Sequence, residues 1–197
     1  MSETGVREGH VAGEGAALVH LTAARGSGPT PAHRLLAQRF RVLALETPGV
    51  PASPEVAATL AGTLQSLGVE RFNLMATADA APTALWLALH APERVLAMVL
   101  EAPAPMPAPS HEASLERRLP GLATPTLLLV GTRDDVAGPA PGRAYKALMP
   151  NAHLVFVYDA GPAVGADRPE AFAEVAIDFL ERHEAFVISR AATVIHP

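Results

Sequence analysis

The sequence predicts a three-layer α/β domain, with a mostly parallel sheet of about six strands and helices on both faces. Three observations carry that expectation. Short apolar runs recur along the 197 residues, each followed by a stretch of helical periodicity, and such alternation builds parallel sheets through right-handed crossovers. The runs are apolar almost throughout rather than at every second position, the pattern of strands covered on both faces. Hydrophobic residues make up 49% of the chain and charged residues 18%. That composition is globular, and the length suits one core.

The elements follow in order. Strands are expected at 17–21, 41–45, 72–76, 95–100, 126–130 and 153–158, the last a sheet edge. A helix over 31–40 carries Pro31 in its first turn, where the missing N–H costs nothing. A second over 53–67 opens on S-P-E-V, a capping sequence, and closes at Gly68. Further helices are expected over 82–90, around 111–118, over 142–148 and over 168–182. The run A-P-A-P-M-P-A-P at 102–109 favours a stiff, extended connector. No internal repeat is present. Residues 1–197 read as a single domain, with an apolar tail at 184–197.

Composition excludes several classes of function. The net charge of −5 gives no basis for nucleic-acid binding, and no basic run suggests a membrane surface. No apolar stretch is long enough to span a bilayer. The N-terminus lacks a secretion signal, so a cytoplasmic protein is expected. Absence of cysteine excludes disulfides and thiolate chemistry. No histidine pair has metal-ligand spacing near a carboxylate and no phosphate-binding loop is complete, so neither metal nor cofactor is expected. Lys146 is the only lysine among many arginines, a bias typical of GC-rich bacterial genomes.

From Phe72 the chain reads F-N-L-M-A-T-A-D-A-A-P-T-A-L-W-L-A-L-H-A-P-E-R-V: an apolar strand, a tight small-residue turn, an apolar helix and an H-A-P-E-R exit. This resembles the nucleophile elbow of the α/β-hydrolases, whose G-x-S-x-G turn lifts a serine hydroxyl above the sheet edge. The five positions here are Ala76, Thr77, Ala78, Asp79 and Ala80, so a methyl group stands where the attacking oxygen belongs. A one-residue slip would put Asp79 there instead, although both flanks align without a gap. The stretch G-E-G-A-A-L-V-H-L-T-A-A-R-G-S-G-P resembles the family's G-E-G-P-P-L-V-L-L-H-G-G-G-G-S-G-P, with Thr22, Ala23 and Ala24 in place of the His-Gly-Gly that shapes the oxyanion hole. Further on, T-L-L-L-V-G-T-R-D-D resembles the strand ending in G-x-x-D and puts Asp134 in the place of the orienting acid. Y-D-A-G-P resembles the D-A-G-H that carries the general base, and puts Pro162 in its place.

The resemblance covers roughly Gly9 to Leu180 and implies a minimal hydrolase fold, with the N-terminal hairpin shortened and the cap reduced or absent. It also implies that the triad positions Ala78, Asp134 and Pro162 form no catalytic set. Pro162 cannot take a proton at any pH, and a lone Asp134 is then a turn-forming carboxylate. Thr22, Ala23 and Asp79 are the candidate binding residues of the degenerate oxyanion region. Ala76, Ala78, Ala80 and Ala81 are expected to be small because strand and helix close on each other there. Of the histidines, His20 reads as a satisfied core residue and His33 as a surface helix residue. His153 is expected at the sheet edge opposite the catalytic loops, His90 at the end of the helix after the elbow, ~18 Å from it by helical rise, and His111, His183 and His196 as solvated.

Three functions stay open: a non-catalytic protein acting by binding, a hydrolase with unusual chemistry on Asp79 or Asp134, and a small-molecule binder. The apolar side chains after Arg182 either pack on their own domain or cross to a second copy, so a homodimer is a further expectation, beside an unspecified protein or small-molecule partner.

Overall fold

The computed structural model describes residues 7–22, 30–47, 51–106 and 115–186. In order, the elements are β1 (Arg7–Ala12), β2 (Ala16–Thr22), α1 (Pro31–Leu36), β3 (Phe40–Glu46), α2 (Pro54–Ser66), β4 (Phe72–Thr77), α3 (Ala81–His90), β5 (Val95–Glu101), α4 (Leu115–Arg118), β6 (Thr126–Gly131), α5 (Ala140–Leu148), β7 (Ala152–Val157), α6 (Val164–Asp167) and α7 (Pro169–Arg182). The strands form one sheet in the order β1-β3-β2-β4-β5-β6-β7. Every neighbouring pair is parallel except β1 with β3. The six expected strands are β2 to β7, and β1 is an N-terminal addition.

Alternation along the strands sends side chains to two separate cores. Val19, Leu21, Leu74, Ala76, Leu100 and Leu128 face α2, α3 and α5. Leu18, Met75, Val99, Leu127 and Leu129 face α1 and α7. Each fully buried leucine contributes about 1.5–3 kcal/mol, so this two-sided burial, and not helix propensity, holds the layers together. Arg94, from the H-A-P-E-R exit, ties the lower edge. Its guanidinium donates to the carbonyls of Glu70 (2.8 Å), Ala61 (3.0 Å) and Val69 (2.7 Å) and lies over the Phe72 ring.

Most expected elements hold within a residue or two, and the exceptions have physical causes. Helix α1 stops at Leu36 rather than Phe40. Phe40 already opens β3, paired with Ala16 and buried in the core under α1 and α7. The turn between them presses on the β1–β2 turn so closely that a Cβ on Gly13 would lie 2.3 Å from the carbonyl oxygens of both Ala37 and Phe40. Helix α5 begins earlier than expected, at Ala140. Helix α6 was not foreseen, because four residues are too few to show a period. In place of a cap, the described part of the segment between β5 and β6 holds only α4 and the turn Leu119–Gly121. Residues 107–114, including His111, and the tail from 187 onward lie outside the described residues.

Ala76, Ala80, Ala81 and Ala84 are fully buried where α3 leaves the sheet. Replacing Ala80 with leucine is expected to overpack this junction and cost about 1–3 kcal/mol in denaturant titration. A change near zero would mean that the junction has room to spare.

Candidate functional site

The parallel strands β4, β5 and β6 end at one edge of the sheet, and the loops leaving them define the site. After Thr77 the chain must reverse into α3, and it does so through the single turn Ala78–Ala80, with Ala78 at a φ of +45°. An L-residue pays roughly 1–2 kcal/mol for a left-handed backbone, so the elbow shape is retained at a cost with no hydroxyl on it. Ala78 and Asp79 are exposed. The expectation that Ala78 is small because strand and helix close on it is therefore wrong. Close approach explains Ala76, Ala80 and Ala81, whereas Ala78 stands outward on the tip. Asp79 has no hydrogen-bond or ion-pair partner among the described residues. The connector after β5 runs alongside, with the Ala104 N–H donating to the Ala78 carbonyl at 3.2 Å.

The loops after β6 and β7 lie side by side. A Cβ on Gly131 would come within 2.2 Å of the Ala160 and Gly161 carbonyl oxygens, so only glycine permits this approach. Arg133 N–H donates to the Ala160 carbonyl at 2.8 Å, Asp159 N–H donates to Thr132 Oγ1 at 3.0 Å, and Arg133 pairs with Asp159 at 2.6 Å. Asp134 is buried, and its Oδ1 accepts from the N–H groups of Val136 and Ala137, both at 3.0 Å. That is a turn-forming role. Its Oδ2 is shut away from solvent with no partner. Pro162 is exposed on the neighbouring loop and offers neither a donor nor a base.

Thr22 ends β2, buried, its carbonyl accepting from Thr47 N–H (2.8 Å) and Oγ1 (3.1 Å). Ala23 and Ala24 lie outside the described residues.

Beneath this edge is a buried polar layer that the sequence did not announce. His33 is only 8% exposed and is not a surface residue. It serves as the third residue of a capping box: its Nδ1 accepts from the Thr30 N–H at 2.9 Å, and its Nε2 lies 2.6 Å from Nδ1 of His20. Since His33 Nδ1 is an acceptor, Nε2 carries the proton and donates to His20, whose own proton is then on Nε2. That Nε2 is buried with no partner, so His20 is a half-satisfied core histidine rather than a satisfied one. Burial, aided by the nearby His33, pushes the His20 pKa down to about 3.

Glu101, the last residue of β5 and opposite Thr77 in register, is also buried. Its Oε1 accepts from the Gly165 N–H of α6 at 2.7 Å. Burial pushes its pKa up to about 7 against the lowering effect of that hydrogen bond, and Asp167 adds to the rise. Thr30 Oγ1 and Ala32 crowd the same glycine, so Glu101 and the His33 capping box meet around Gly165. The one available signal was a carboxylate closing the otherwise apolar run V-L-A-M-V-L-E. His90 is exposed at the end of α3, His153 is the second residue of β7 at the opposite edge, and His196 lies outside the described residues. His183 is not solvated as expected, since its Nε2 is buried beside α7. Among the described residues no group of acidic and histidine side chains is arranged to hold a metal ion, and no helix is long and apolar enough to cross a membrane.

No protein-family profile matches the chain. Polyketide synthase ThaQ of Burkholderia thailandensis is 39% identical over 64 residues, which cover 32% of this chain and 3% of ThaQ. The chain thus spans a small fraction of the curated relative's length. Among solved structures, a thermophilic esterase from Thermogutta terrifontis superposes with a TM-score of 0.74 at 16% identity, covering 89% of this chain and 93% of the esterase. An α/β-hydrolase enzyme from the sediment metagenome of the Mar Chica lagoon gives 0.72 at 22% identity, covering 90% and 94%. A predicted CIB-like hydrolase from Thermoplasma acidophilum gives 0.67 at 20% identity, covering 89% and 98%. The fold is that of the α/β-hydrolases.

The buried layer has a consequence for stability against pH. Glu101 binds its proton more tightly folded than unfolded. Its contribution is therefore present below its ordinary value near 4.5 and is lost as pH rises through about 7. His20 works in the opposite sense: its contribution is present above 6.5 and is lost as pH falls toward about 3. Glu101→Gln keeps the acceptor for Gly165 and removes the buried charge. It is expected to raise stability by ~2–3 kcal/mol at about pH 8 and by much less near pH 5 in urea titrations. Equal effects at the two pH values would mean that Glu101 is already ionised at the lower one.

Proposed function

With the α/β-hydrolase fold as the premise, we propose that this chain is a non-catalytic protein of that fold which acts through binding. The observation that carries the reading is the elbow itself: its strained turn presents the methyl group of Ala78. Pro162 on the base loop and alanines in the oxyanion region support it. Loss of a nucleophile alone leaves only the residual rate of binding and oxyanion contacts, and here base and nucleophile are both replaced. The match to a stretch of a polyketide synthase supports a partner role within or beside an assembly of that kind. Self-association is part of this proposal, supported by the edge position of β7 and the exposure of Phe156 on it and Tyr158 just beyond it.

A second reading is a hydrolase of unusual chemistry. It is favoured by the unpartnered Oδ2 of Asp134 and the exposed Asp79 at the elbow tip, and by the company of esterases and hydrolases among the structural neighbours.

Assayed on p-nitrophenyl acetate and butyrate beside an Ala78→Ser, Pro162→His double variant, the natural chain is expected to show no turnover above a protein blank. A rate that scales with protein and disappears in Asp79→Asn or Asp134→Asn overturns the non-catalytic reading and establishes the second. For self-association, light scattering at micromolar concentration is expected to show a dimer that Phe156→Asp shifts toward monomer. A monomeric natural chain refutes that part.

A further inference from the structure

At the end of the sheet opposite the elbow is an open groove of about 660 Å³. Its lining brings together Lys146 from the last turn of α5, His153 from the start of β7 and His183 just after α7, with Asn151 on the rim and Pro150 and Leu154 as apolar wall. We propose that this groove is a binding site for a small organic oxyanion, its phosphate or carboxylate head held among Lys146, His153 and His183 and its apolar body against Pro150 and Leu154.

The argument begins with charge. The protein carries a net charge of −5, yet its one lysine and two of its histidines share a groove with no carboxylate among its described lining residues. Among the described residues Lys146 has no ion-pair partner. His153 is held below its ordinary pKa, first by burial and then by the charge of Lys146, and an anion bound between them would reverse the second effect.

His183 supplies a second, independent observation. Its Nε2 is buried with no hydrogen-bond partner, and its backbone is in the left-handed region at a φ of +50°. An orphaned buried nitrogen is unfavourable, and a ligand oxygen reaching it from the groove would satisfy it. The site is also stiff. The His153 ring packs edge-on against Phe186 at 5.3 Å and Phe179 at 6.3 Å, and those two rings pack edge-on against each other at 5.2 Å. The groove far exceeds the volume of a bare phosphate ion, which is why the ligand is expected to carry an organic portion.

The test uses the full chain, with inorganic phosphate, phenyl phosphate, acetate and benzoate as probes, chloride being used to match ionic strength. Binding is read by calorimetry and by the imidazole resonances of His153. Phenyl phosphate or benzoate is expected to bind about tenfold more tightly than its bare counterpart, and the stronger pair identifies the head group. The His153 pKa is expected to rise when the site fills, with Lys146 and His183 the charged or titratable groups facing it. Lys146→Met, an exposed position that leaves folding intact, is expected to weaken binding by about tenfold or more, and His153→Gln to do the same. Equal binding by the natural chain and Lys146→Met, or resonance shifts no larger than chloride produces, overturns the proposal.

Discussion

The close approach of α3 to β4 is the constraint on which the rest of the structure depends. Ala76, Ala80, Ala81 and Ala84 are fully buried at this junction, so the central strand can reverse into a helix within a single turn. That reversal fixes the direction of α3 across the sheet, the packing of α2 against it, and the outward placement of Ala78. A side chain larger than alanine at the inner positions would push the helix off the sheet and loosen one of its two cores. The elbow geometry in this chain is a packing solution first. It persists without the oxygen that makes such a turn useful to an enzyme.

A second consequence is electrostatic. Burying both faces of a parallel sheet leaves its polar residues little choice but to collect at the strand ends. Here His20, His33, Thr30 and Glu101 do so beneath the carboxyl edge, linked through the capping box of α1 and the backbone of α6. This layer is not fully satisfied, since one histidine nitrogen has no partner and the carboxyl is held largely out of water. Buried polar groups of this kind trade stability for a defined arrangement of the elements they join. The elements joined here are α1 and α6.

The two ends of the sheet differ in character. At the carboxyl end, the turn between β4 and α3 lies beside the connector after β5, and the loop after β6 packs against the loop after β7 through Gly131. Ala78 and Pro162 stand exposed on these loops and Asp134 is buried in its turn. At the amino end, Lys146, His153 and His183 gather around an open groove with no carboxylate among its described lining residues. Separation of the two ends by the whole length of the strands lets one change without disturbing the other, because each is built from different loops.

The sequence by itself determined the strands, their parallel arrangement and the elbow. Those features rest on local signals: the continuous apolar runs of β2 to β7, Ser53 and Gly68 bounding α2, and the small residues from Ala76 to Ala81. Tertiary structure alone decided which polar side chains are inside. His33 lies on a helix short enough to suit either a surface or a buried face, and only the docking of α1 on β2 brings it to His20. Glu101 ends an apolar strand, but its buried state depends on α6 closing over it from a segment far along the chain. The groove of Lys146, His153 and His183 joins three elements at separate points in the sequence. Periodicity reports which face of an element is apolar, and not which distant element will cover it, so contacts of this kind come only from the packing of the whole domain.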